Sequence, residues 1–123
     1  MSSLSGPMST PPRPLAEGDL EAALPGLDGW ILKGGRLERE FVGADFVAAL
    51  AWVNAVAGEA EAMGHHPDIE IRYRRVRLSL TTHDCGGKVT DWDVALAARL
   101  DRLWRSREAA GGPGMSMPRG RAL

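Results

Sequence analysis

Between Asp45 and Thr82 the chain reads DFVAALAWVNAVAGEAEAMGHHPDIEIRYRRVRLSLTT, and its hydrophobic period changes once inside that stretch. Phe46, Ala49, Leu50, Val53, Val56, Ala57 and Ala60 recur at three- and four-residue steps, the spacing of a helix face. Asp45 stands in the first turn and Gly64 is placed to end the helix. After Pro67 the period becomes two. Val76, Leu78 and Leu80 alternate with Arg75, Arg77, Ser79 and Thr81, so Ile69 to Thr82 reads as a strand with one buried face.

Upstream of this stretch, Trp30 to Lys33 and Arg36 to Phe41 flank Gly34-Gly35, a pair that supplies the positive φ of a tight turn and predicts a β-hairpin. Before it, Leu20, Ala23 and Leu24 have helical spacing, and Pro25-Gly26 stops them. Downstream, Gly86-Gly87 breaks the strand and leaves room for a brief return strand at Lys88-Val89. Thr90-Asp91-Trp92-Asp93 has the form of a capping box, continued by Leu96, Leu100, Leu103 and Trp104 as an amphipathic helix. The order is helix, two strands, helix, one or two strands, helix. This predicts an α+β domain, an antiparallel sheet with helices packed on one face.

The chain has 123 residues, 44% hydrophobic and 25% charged, the composition and length of one globular domain rather than a disordered or collagen-like chain. Its net charge of -1 gives no global attraction to nucleic acid or anionic lipid. No apolar run approaches the roughly 20 residues that span a bilayer, so no membrane span is expected. Residues 1–14 lack the pattern of a secretory signal and read as a disordered lead. Residues 109–123 mix Gly, Pro and Met without period and read as a disordered tail, leaving 15–108 as the folded body. Cys85 stands alone, which precludes an intrachain disulfide, and with the absent signal it leads to a cytoplasmic expectation. A body this small buries a modest fraction of its surface, which favours assembly.

All three histidines lie between positions 65 and 83, His65 and His66 where helix gives way to strand, His83 where the strand ends. Element ends are where a scaffold presents functional groups, and imidazole exchanges protons near neutral pH. The competing reading of each is a solvated loop histidine. Asp93 is accounted for by its capping-box position alone, and Glu61, one turn before His65, by a solvated helix face. Arg72, Arg74, Arg75 and Arg77 read as an exposed or subunit-facing strand surface before a nucleic-acid contact. His65, His66, His83 and Cys85 do not have the spacing of a zinc site, and no metal is expected. Neither a nucleotide-binding glycine loop nor a nucleophile elbow is present, and nothing marks Cys85 as an activated thiolate.

Glu61-x-x-x-His65-His66-Pro67, then Tyr73, then Val76-x-Leu78-x-Leu80-Thr81-Thr82-His83-Asp84-Cys85-Gly86-Gly87, then Thr90-x-x-Asp93-Val94-x-Leu96-Ala97 strongly resembles the pterin-4a-carbinolamine dehydratase family. Leu24-Pro25, Gly29-Trp30, Phe41 and Phe46 extend the resemblance upstream, so it covers nearly all of the folded body and neither tail. The implied fold is α-β-β-α-β-β-α with a four-stranded antiparallel sheet. The implied activity is dehydration of 4a-hydroxytetrahydropterin, left when an aromatic amino-acid hydroxylase has used its tetrahydropterin, to quinonoid dihydropterin. Loss of hydroxide from C4a with loss of a ring-nitrogen proton calls for an acid and a base, a task two imidazoles can share.

On this resemblance His65 and His83 transfer protons, His66 holds the pterin, and Glu61 and Asp93 orient or charge-stabilise the histidines. Gly64, His65, His66 and Pro67 with Thr81, Thr82, His83 and Asp84 would line the pterin pocket, and no cofactor is implied. Family members form dimers or tetramers, and the alternative role is a non-catalytic dehydratase-like protein acting through protein partners or in another pterin pathway. Three departures stand out, one of them the Arg-rich strand at 72–77 in place of a milder polar one, with altered subunit association as its expected consequence. Gly64 replaces a residue that is often acidic, and Lys88-Val89 is one residue longer than usual, with a shift of Asp93 as its expected consequence.

Overall fold

The computed structural model describes residues 11–27, 29–82 and 85–109. Helix α1 (Glu17–Ala23) runs into a 3-10 turn at Leu24–Gly26, where Pro25 and Gly26 stop it. Strands β1 (Ile31–Lys33) and β2 (Arg36–Val42) form a hairpin around Gly34 and Gly35, both at positive φ (58° and 77°). Helix α2 (Phe46–Met63), strands β3 (Asp68–Arg72) and β4 (Arg75–Leu80), and helix α3 (Asp91–Ala109) complete the chain. The four strands form one antiparallel sheet in the order β1-β2-β4-β3, giving the α-β-β-α-β-β-α arrangement that the family resemblance implies.

Register decides which face is core. Leu37 pairs with Leu80 and Phe41 with Val76, so these side chains and Leu78 share the face buried with α2 and α3. Phe41, Trp52 of α2 and Trp104 of α3 meet at ring-centroid distances of 4.8 to 5.1 Å, joining sheet to both helices. Asp101 of α3, itself buried, accepts from Trp30 Nε1 (2.6 Å) and Arg39 (2.8 Å), adding a charged tie between α3 and β2. The other face is a ladder of opposite charges: Arg36 with Asp68, Arg75 with Glu40, and Arg77 with Glu70. The arginines at 75 and 77 thus meet carboxylates of their own sheet. Helix α2 has the length and mean hydropathy (1.2) of a membrane-crossing helix. It is nonetheless built into the core through Ala48, Ala49, Trp52, Val56, Ala60 and Met63.

Three expectations are corrected. Ile69 to Thr82 is not one strand: it folds back at Tyr73-Arg74, and Arg72 faces Arg75 across the turn. The turn holds Tyr73 at φ 56°, without the Gly, Asn or Pro that would have announced it. Lys88 makes a single bridge to Thr82 and no return strand forms. Arg13 and Pro14, counted in the disordered lead, pair instead with the start of α3. Asp91 N–H donates to Arg13 O, Leu15 N–H donates to Val89 O, and Pro14 bridges Thr90. Backbone pairing holds this strap, so composition carries no sign of it. Residues 1–10 of the lead and 110–123 of the tail lie outside the described residues.

Candidate functional site

The end of α2 delivers the first histidine. Gly64 takes the left-handed conformation (φ 68°), which a glycine adopts without the Cβ penalty, and the His65 N–H reaches back to Ala60 O (3.0 Å). This cap turns the chain sharply and fixes the His65 backbone at the helix end. It also explains Gly64 in place of an acidic residue.

The start of α3 delivers the partner. Thr90 caps the helix: its Oγ1 accepts from Trp92 N–H (3.1 Å), while its own N–H donates to Asp93 Oδ2 (2.8 Å), which is the predicted capping box. Asp93 is fully buried, and a carboxylate there needs donors. Thr82 Oγ1–H donates to Oδ2 (2.9 Å) and His65 Nε2 lies 2.6 Å from Oδ1. The two threonine hydroxyls are 2.7 Å apart. Thr82 Oγ1–H, at the shorter distance, donates to Asp93, and His65 Nε2–H donates to the other oxygen; the Thr90 hydroxyl then donates to Thr82 Oγ1, with Asp93 Oδ2 a longer alternative at 3.4 Å. The longer Lys88-Val89 segment does not dislodge Asp93 from these contacts. Its loop closes through Thr82 N–H to Lys88 O (2.9 Å).

A carboxylate only accepts, so Nε2 carries its proton toward Asp93, and the neutral tautomer of His65 then has its lone pair on Nδ1. The ring is 8% exposed and stands against Trp92, T-shaped at 5.6 Å between centroids. His66 points elsewhere, as adjacent residues do. Its Nε2 lies 2.8 Å from Glu61 Oε1, and both side chains are largely exposed. Glu61 therefore pairs with His66 and Asp93 with His65. Pro67 and Thr81 are half-buried, and Thr82 is buried. His83 and Asp84 lie outside the described residues.

Sequence reasoning singled out His65, Asp93 and Thr82 but not Thr90 or Trp92 as parts of one cluster. Thr90 was visible as a cap. Trp92 carried no signal, because its contact with His65 crosses 27 positions of chain. Among the described residues no group of three or more His, Cys, Asp or Glu is arranged to hold a metal ion.

The model of the family described as pterin 4 alpha carbinolamine dehydratase matches residues 13–103. The chain belongs to the pterin-4a-carbinolamine dehydratase family. A relative from Acidobacterium capsulatum, provisionally named pterin-4-alpha-carbinolamine dehydratase, is 52% identical over 84 residues, 68% of this chain and 90% of its own. One from Koribacter versatilis with the same provisional name is 48% identical over 89 residues, 72% of this chain and 94% of its own. A crystal structure of a transcriptional coactivator/pterin dehydratase from Brucella melitensis has a TM-score of 0.69 at 31% identity, covering 74% of this chain and 98% of that one. A pterin dehydratase-like protein described as a RuBisCO assembly factor in the alpha-carboxysome has a TM-score of 0.52 at 25% identity, covering 72% and 96%. The carbinolamine dehydratase match begins at Arg13, the residue where the strap pairs with Asp91.

Proposed function

We propose that this chain dehydrates 4a-hydroxytetrahydropterin to quinonoid dihydropterin in tetrahydropterin recycling, by general acid/base catalysis with histidine. The observation that carries the reading is the buried His65–Asp93 pair, a proton-exchanging group with its tautomer fixed, in a member of a dehydratase family. The reaction breaks the C4a–O bond and removes a ring N–H proton, so the leaving hydroxide takes a proton from an acid while a base takes one from nitrogen. His65, acting at Nδ1, is one of that pair. The family resemblance assigns the other role to His83. The exposed His66–Glu61 pair is suited to hold polar atoms of the pterin. Water is the only other product, and the step needs no cofactor.

The test is the dehydration rate of freshly generated 4a-hydroxytetrahydropterin, followed by ultraviolet absorbance. Wild type is expected to accelerate it, and His65→Ala and His83→Ala each to lose at least about 10²-fold. A folded wild type without acceleration overturns the proposal.

Self-association, expected of a body this small, is favoured by the outward side of α2. Phe46, Val47, Leu50, Asn54, Ala57 and Gly58 are all exposed, an apolar stripe interrupted by one amide. Its proposed partner is a second copy: antiparallel packing of two α2 helices about the middle of the stripe would place Phe46 near Gly58 and Val47 near Ala57, large beside small, a pairing that lets two helices approach closely. Light scattering is expected to give a dimer or larger, and Val47→Glu to give a monomer; a wild-type monomer at micromolar concentration overturns it.

A further inference from the structure

Two consecutive residues at the start of α3 grip one imidazole. Asp93 takes Nε2 of His65 at 2.6 Å, and Trp92 sets its indole against the same ring, 5.6 Å away and inclined by 78°. The Trp92 backbone is itself fixed by the N–H bond to Thr90 Oγ1. A single hydrogen bond at Nε2 leaves the imidazole free to swing about the line from Cβ to Nε2, and such a swing carries Nδ1 away from any fixed target. A flat side chain packed edge-on or face-on against the ring blocks that swing. Asp93 sets the tautomer; Trp92 sets the plane. Trp92 is also partly exposed, so its indole forms part of the surface beside His65.

We propose that Trp92 is a positioning residue for His65, holding the ring plane so that Nδ1 meets the substrate in one orientation. The inference rests on the dehydratase reading for its activity readout, and on geometry alone for its spectroscopic one. Loss of orientation lowers turnover more than substrate binding, because binding contacts made by other residues survive while the proton-transfer geometry does not.

The experiment compares wild type, Trp92→Phe, Trp92→Leu and His65→Gln, each first checked for native circular dichroism and thermal midpoint. With 4a-hydroxytetrahydropterin as substrate, Trp92→Leu is expected to lose about 10–10²-fold in kcat with KM little changed. Trp92→Phe, which keeps a flat ring in place, is expected to recover most of that loss. Tryptophan fluorescence is read against pH in the same proteins. A protonated imidazole quenches a neighbouring indole, so wild type is expected to dim in one step as the pH is lowered, and both Trp92→Phe and His65→Gln to lose that step. Unchanged kcat in a folded Trp92→Leu, or an equal fall in Trp92→Phe and Trp92→Leu, overturns the positioning role. A wild type without dehydratase activity but with the fluorescence step overturns the reaction and leaves the Trp92–His65 contact standing. Absence of the step with activity intact overturns the contact itself.

Discussion

His65 Nε2 and Asp93 Oδ1 lie 2.6 Å apart, both side chains buried, although 28 positions of sequence separate them. One comes from the end of α2 and the other from the first turn of α3, and each is fixed by a helix cap. The pair is thus rigid at both ends, and its geometry depends on two local motifs that stabilise their helices independently of any reaction.

Asp93→Asn tests the tautomer. An amide can turn its NH₂ toward Nε2, which moves the ring proton to Nδ1 and removes the lone pair that the proposed proton transfer uses. The variant is expected to fold and to lose about 10²–10⁴-fold in kcat, measured in the ultraviolet dehydration assay.

Thr90→Val deletes the hydroxyl that caps α3 and donates toward Thr82, while keeping the side-chain shape. Loss of the cap is expected to cost about 0.5–2 kcal/mol in urea unfolding, and Thr90→Ser to restore most of it. Equal stability of Thr90→Val and wild type would falsify the assigned network.

Tyr73, at φ 56° and 88% exposed, holds a left-handed conformation with no burial to compensate. That conformation costs about 1–2 kcal/mol for a side-chain-bearing residue, against about 0.4–1 kcal/mol of extra chain entropy for glycine. Tyr73→Gly is therefore expected to raise the thermal midpoint, and Tyr73→Ala to leave it unraised.

Trp52 is 2% exposed and touches Phe41 and Trp104 at 4.9 and 4.8 Å. Truncation leaves a cavity between α2, α3 and the sheet. Trp52→Ala is expected to lose about 3–5 kcal/mol, read as a lower urea midpoint at unchanged slope.

Glu70 supplies a pH signature. The hydrogen bond from Arg77, then the charge of Arg77 and that of Arg72, hold its carboxyl below the usual 4.5. A carboxylate whose folded value is depressed stabilises the fold above the unfolded value, and that contribution disappears as pH falls through the folded value. The thermal midpoints of wild type and Glu70→Gln are expected to differ slightly at pH 7 and to converge as pH falls from 4.5 through the depressed folded value, the difference being small because the pair is exposed.

Periodicity made α2, the β1–β2 hairpin, α3 and the buried face of β4 legible, because each follows from side-chain spacing and nearby turn or cap residues. The Tyr73-Arg74 turn was not legible. Its residues are poor turn formers, and the strands on either side pair well enough to impose φ 56° on a tyrosine. The strap at Arg13 and Pro14 was hidden for a related reason, since main-chain hydrogen bonds leave no mark on composition.

By itself the sequence determined the α+β class, the element order except for the split between β3 and β4, and the caps at Gly64 and Thr90, all properties of residues within a few positions of one another, while the family resemblance made Asp93 a candidate beside His65. Only the tertiary structure decided that Asp93 serves His65 while Glu61 serves His66, and that Thr82 and Trp92 complete the first pair. Those choices depend on where packing of α2 and α3 on one sheet brings the two helix ends together, a distance in space that no spacing along the chain encodes.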